Sequence, residues 1–252
     1  MRRQSSLQGA FSAARVRAIA TTRIRRVVRT RVALAAALFA LLPWAIVDTP
    51  TLAGRLSALA EFSVVGLTML AAGSIGDDLD SGEFAIAISH DVSPLEILAG
   101  NSAASLLLSS ILVAIQLPLL CMGVATPDAA IIVGAVLALL ALLAGWLAVM
   151  LLLGTFLEGK GNAIAMIAVL FLPVVVQLGV LARLPPRMSS IAEQALRVLP
   201  QVDQVTAVVR ALIDRSLVPS LDLTVLIASP FIYLALATYR LHRLEPAGRL
   251  TQ

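Results

Sequence analysis

Two uninterrupted apolar stretches decide what this chain can become. No acidic or basic residue occurs from Ser102 to Thr126 or from Ala129 to Phe156. A helix needs roughly 20 apolar residues to cross the hydrocarbon core of a bilayer. Lipid offers no partner to an unpaired peptide group, so each stretch reads as a membrane-spanning helix. The rest of the chain agrees, since charged residues make up only 13% of it, against about 25% in a soluble domain. Length alone marks six spans, at about 32–47, 57–76, 95–122, 129–153, 163–182 and 220–239. The expected fold is therefore an all-α membrane protein. It has a basic interfacial segment at 1–31, a six-helix transmembrane domain at 32–239 and a tail at 240–252. The single cysteine, Cys121, excludes an intramolecular disulfide framework.

Charge gives the orientation. Residues 1–31 hold nine Arg and no acid, the 154–162 turn holds Lys160, and the tail holds Arg240, Arg243 and Arg249. The opposite side has Arg55 and five Arg spread over 183–220. Positive residues stay inside, so both termini are expected in the cytoplasm of a cell with the chain in its inner, cytoplasmic membrane. The Arg residues flank membrane spans, so the basic balance does not indicate nucleic-acid binding. Within the N-terminal segment, Val16, Ile19, Ile24, Val27 and Val28 fall loosely on one side of a helix, with Arg15, Arg25, Arg26 and Arg29 elsewhere. That pattern suits an elbow helix lying on anionic lipid. A transit peptide is a competing reading of the same Arg- and Ser-rich composition.

Between the second and third spans, Gly76 to Asn101 breaks the basic trend. It carries six acids (Asp77, Asp78, Asp80, Glu83, Asp91, Glu96) and no Lys or Arg. Asp80-Ser-Gly-Glu83 and Ser93-Pro-Leu-Glu96 each place a capping side chain three residues before a Glu. Pro94 suits a first helical position. The spacing predicts a short helix over 82–89, ending near His90-Asp91, before the third span begins. A plain connector needs no helix of its own, which points to a docking element. On the outer side, 183–219 is punctuated by Pro185-Pro186, Pro200 and Pro219 into two short helices. In the second, Val205, Val208, Val209, Leu212 and Ile213 share a face opposite Asp203, Gln204, Thr206, Arg210 and Asp214, predicting an amphipathic helix that caps the bundle.

Chemistry-bearing motifs are few. The chain has no phosphate loop of the Gly-x-x-x-x-Gly-Lys-Ser/Thr type, and His90 and His242 stand far apart. The acids Asp77, Asp78, Asp80 and Glu83 could hold a divalent metal for chemistry on lipid phosphates, although the loop offers no basic partner for the phosphate. A membrane anchor for a cytoplasmic protein is a third reading. Ion-coupled transport needs ionisable residues at mid-membrane, and the third to sixth spans carry acids only at their ends, Glu96 and Asp222. Energy is then expected from a docked partner.

In order and spacing these features resemble the membrane permease subunits of type-2 ATP-binding-cassette (ABC) transporters. The shared features are a basic elbow, six spans and a loop after the second span in which Asp78 precedes Gly82 by four positions. A short coupling helix follows, then Ser93-Pro-Leu-Glu-Ile-Leu-Ala-Gly100. Leu199-Pro200, followed by a helix containing Arg210, is similar to the family's re-entrant region. Pro94 and Asn101 depart from the basic residues common in the family. The resemblance implies a transport subunit of an exporter, without ATPase motifs or cofactor of its own. It would pair with a second permease copy, homo- or heterodimeric, above ATP-binding ABC ATPase subunits. It also implies docking through Asp78, Gly82, Glu83, Phe84 and Ile88, with Phe84 and Ile88 as apolar anchors and Asp78 and Glu83 meeting basic residues of the ATPase.

Overall fold

A computed structural model describes residues 11–46, 51–71, 78–79, 81–90, 92–121, 128–157, 165 and 199–248. Among them all regular structure is helical: α1 (Ala13–Val28), α2 (Arg31–Ile46), α3 (Leu52–Ala71), α4 (Glu83–Ser89), α5 (Pro94–Cys121), α6 (Ala129–Gly154), α7 (Val202–Ile213) and α8 (Ser220–Gly248). Four are long and apolar enough to cross a membrane: α3, α5 over Pro94–Pro118, α6, and α8 over Ser220–Arg243. The apolar part of α2, Arg31–Pro43, is shorter. The expected fifth span at 163–182, and the first of the two outer helices, lie outside the described residues.

Three boundaries differ from the sequence reading. The second span begins at Leu52, not at 57, so Arg55 and Glu61 lie within the helix. Thr51 caps this earlier start, its hydroxyl accepting from the Gly54 N–H at 3.2 Å. α8 continues to Gly248, so residues 240–248 of the expected tail are helical. Arg240 explains part of this: its guanidinium lies 4.9 Å from the ring centre of Phe156, which ties the end of α8 to the end of α6.

The third difference concerns α7. Hydrophobic periodicity suggested a cap on the outer end of the bundle. The structure instead sets the helix into the bundle, antiparallel along α6. A Cβ at Gly134 would collide with Leu212, and one at Gly145 would lie 3.0 Å from Pro200 Cγ. Eleven residues separate those two glycines, about 16 Å of helix rise, so Leu199-Pro200 dips far along α6. Gln204 and Thr206, expected on the solvated face, are buried. Local bonds make that tolerable, since Gln204 Oε1 accepts from the Gln201 N–H at 3.0 Å and Thr206 donates to the Val202 carbonyl at 3.2 Å.

One polar knot binds α2, α3 and α5. Ser63 donates to Gln116 Oε1 at 2.8 Å, and Gln116 Nε2 donates to the Ala40 carbonyl at 3.2 Å, with Gln116 only 1% exposed. Side-chain hydrogen bonds between membrane helices average about 0.6 kcal/mol. Gln116→Leu should therefore cost no more than about 1 kcal/mol, read as a small fall in the thermal midpoint in detergent, because Leu removes the Gln and its desolvation together.

Candidate partner-docking site

The acidic loop folds against the basic N-terminal helix. Ser12 caps α1, its hydroxyl accepting from the Arg15 N–H at 3.4 Å. The apolar side of α1 packs on protein rather than on lipid. A Cβ at Gly100 of α5 would lie 2.6 Å from Ile19 Cγ2 and 3.2 Å from the Val16 carbonyl oxygen, so only glycine admits this approach. Val27 packs with Ala36, Ala40, Leu70 and Leu112. The apolar stripe read from the sequence thus serves a helix–helix contact, and Val28 alone of its members is largely exposed, at 58%.

Glu96 holds the other end of α1. The capping box predicted at Ser93 forms, with the Ser93 N–H donating to Glu96 Oε2 at 2.8 Å and the Glu96 N–H donating to Ser93 Oγ at 3.2 Å. Its second oxygen, Oε1, accepts from the Ser12 N–H at 2.7 Å, and Arg15 Nη1 stands 3.7 Å from Oε2. One carboxylate therefore caps the N-termini of α1 and α5 together, where both helix dipoles favour negative charge. Its side chain is shut off from solvent.

The second capping signature is not realised as expected. Asp80 lies outside the described residues, and α4 starts at Glu83 with Gly82 as its N-cap and no side-chain cap bond. Gly82 has φ 75°, the left-handed region that a side chain rarely adopts, which accounts for glycine here. Nothing lies within 4 Å of a Cβ at that position, so the restriction is conformational, not steric.

Asp78 and Glu83 face α1, Asp78 from a half-buried position and Glu83 from an exposed one. Both Glu83 oxygens accept from Arg26 Nη2 at 2.9 Å, and Arg26 Nη1 lies 3.6 Å from Asp78 Oδ1. Asn101 Nδ2 donates to Asp78 Oδ2 at 3.4 Å. Within this chain both carboxylates meet a basic residue of α1, Arg26. Phe84 is likewise turned in, 7% exposed, as part of the main core. It lines a cleft of about 270 Å³ with Ile19, Thr22, Ala87, Ile97 and Asn101. Ile88 is half-buried against the same core. In this fold Phe84 is thus a seat for α4 and not an outward anchor. The outward apolar residue is Ile86, 60% exposed, beside exposed Ala85, Ser89 and His90.

Sequence reasoning missed Ile86, Arg26 and the double role of Glu96. A signal for Ile86 was available. Phe84 and Ile88 lie four apart on one face of α4, Ile86 lies on the other, and a helix resting on a bundle turns its bulkier face inward.

Burial pushes the Asp78 carboxyl above its ordinary range, and the neighbouring Glu83 adds to this; Arg23, the Asn101 amide and Arg26 oppose it. The folded form then holds its proton more tightly than the unfolded chain. That contribution to stability is full at low pH and lost as pH rises through the raised value. Asp78→Asn should remove this falling component from the thermal midpoint as pH rises above the ordinary carboxylate range. A variant whose slope matches the parent would contradict the assignment.

Among the described residues no group of three or more His, Cys, Asp or Glu is placed to hold a metal ion. Of the four acids considered for a metal, Asp78 and Glu83 are engaged by Arg26, while Asp77 and Asp80 lie outside the described residues. No protein-family model matches the chain, and no curated protein matches it at a significant level.

Proposed function

We propose that the chain is the membrane-spanning permease subunit of an ATP-binding-cassette exporter, working with a separate ATPase in the inner membrane. The observation that carries this reading is α4. It is a helix of seven residues, bound by the Glu83–Arg26 ion pair to α1, seated by Phe84, and presenting Ile86 away from the bundle. A mere connector has no need of a helix held at both ends. The steep entry of Leu199-Pro200 into the bundle ahead of α8 is a second support.

In this reading Ile86 and Ala85 enter an apolar groove on the ATPase, with Ser89 and His90 at its rim. Arg26 keeps Glu83 and Asp78 from repelling the partner and makes α4 and α1 move together. Closure of two ATPases on ATP would push both helices against the start of α5, where Glu96 and Gly100 receive α1. The six-span topology, the cytoplasmic placement of both termini and the pairing of two permease copies belong to the same proposal.

The test is purification of the full chain through a tag from native membranes. It should bring down a protein with a phosphate-binding loop, and the chain alone should neither bind nor hydrolyse ATP. Nucleotide affinity of the isolated chain would overturn the subunit reading. In a Cys121→Ala background, Ile86→Cys should label only from the cytoplasm and Leu217→Cys only from outside; labelling from one side would overturn the topology.

A further inference from the structure

The outer face of α1 is left over once its inner face has been assigned to α5, Glu96 and Glu83. Arg17, Thr21, Arg25 and Arg29 recur every fourth residue, which puts them in one stripe along the helix. All four are exposed, with the exposed Val28 among them. Small residues, Ala14 and Ala18, flank the stripe and leave the spaces between the guanidinium groups open. None of the three Arg enters an ion pair among the described residues.

The depth of this stripe follows from α2. Arg29 and Thr30 join the two helices, and Arg31 precedes Leu34 by three residues, about 4.5 Å of helix rise. Leu34 and Leu38 of α2 are 63% and 58% exposed. Side chains so apolar and so exposed on a span face hydrocarbon, so Arg29 and Arg31 lie at the level of the lipid phosphates. The stripe runs from there along α1. Arg25 and Arg17 are four and twelve residues further back, and no acidic residue stands anywhere in 1–31.

We infer that this face of α1 binds the phosphate headgroups of anionic phospholipids, and that the same helix passes the contact to α4 through Arg26. A lipid phosphate between Arg25 and Arg29 satisfies guanidinium groups that otherwise face water. Each such Arg near an anionic leaflet is worth about 1 kcal/mol, equivalent to roughly fivefold in binding. Arg25 and Arg29, about 6 Å apart along the helix, together account for roughly a twentyfold preference over a neutral leaflet. The lipid contact itself stands without the transport reading; only the use of α4 for a partner rests on it.

The experiment takes the full chain in nanodiscs of phosphatidylcholine with and without phosphatidylglycerol. After transfer to detergent, native mass spectrometry should find phosphatidylglycerol retained over phosphatidylcholine at least tenfold. Arg17→Gln, Arg25→Gln and Arg29→Gln combined should lose that preference. Hydrogen exchange of 83–89 should slow in phosphatidylglycerol, and Arg26→Gln should abolish the slowing while lipid retention persists. Equal retention of the two lipids, or retention untouched by the triple change, overturns the headgroup site. Exchange in 83–89 indifferent to phosphatidylglycerol overturns the transmission to α4. An Arg-dependent lipid preference in a chain that brings down no ATPase leaves the site standing and removes the transport reading.

Discussion

Replacing Glu96 by Ala should loosen α1 from the bundle, with hydrogen exchange across 13–28 rising roughly ten- to one-hundred-fold. The size comes from what the carboxylate holds. The Ser12 N–H donates to it at 2.7 Å and ties α1 to α5, whereas the Ser93 bond, at 2.8 Å, closes within the cap of α5 itself. A hydrogen bond to a charged group contributes about 1.5–3 kcal/mol, and every 1.4 kcal/mol is tenfold. Glu96→Gln should recover only part of the loss. An amide has one oxygen, so its NH₂ group must face one of the two donors. Exchange in α1 that does not change in the Ala variant would show that Gly100 and Val27 hold the helix by packing alone.

Two substitutions in α4 should separate its inner and outer faces. Phe84→Asp places a third carboxylate in a cleft lined by Ile19, Ile97 and Asn101, whose two cations, Arg23 and Arg26, already act on Asp78 and Glu83. An uncompensated buried charge costs about 3–5 kcal/mol, more than one short helix and its Arg26 contacts return. The helix should detach, exchange in 83–89 should approach that of an unstructured loop, and export should fail. Ile86→Asp changes a residue 60% exposed, so α4 should keep its protection and the chain its abundance in the membrane. On the proposed transport reading its effect belongs to the partner: association with the proposed ATPase should weaken at least tenfold, since the charge would enter an apolar groove. Full export by the Ile86 variant, beside its normal abundance, would remove α4 as the docking element. The Phe84 variant cannot serve that purpose alone, because its failure to export follows from the lost fold.

Long apolar runs made α5 and α6 readable from sequence, since nothing but a span accommodates more than twenty such residues without a charge. The capping box at Ser93 was readable for a related reason, because both of its bonds close within four residues. Asp80 and Glu83 carried the same local pattern, yet the chain enters α4 through the left-handed Gly82. Arg26 lies 57 positions from Glu83, and no local rule connects them. The apolar stripe of α1 was visible, but a stripe does not say whether lipid or Gly100 of another helix will cover it. For α7 the pattern located a helix, while its depth was set by the close approach of Pro200 to Gly145, a contact across 55 residues that periodicity does not encode. The placement of Phe84 failed for lack of one fact, namely which side of α4 the bundle occupies.

The bare backbone of Gly145 has a consequence for how α6, α7 and α8 can move. A Cβ there would lie 2.7 Å from Ser229 Oγ and 3.0 Å from Pro200 Cγ, so the middle of α8 and the approach to α7 both rest on a residue without a side chain. Close-packed interiors transmit strain. Sliding of α8 along α6 therefore carries the entry of α7 with it.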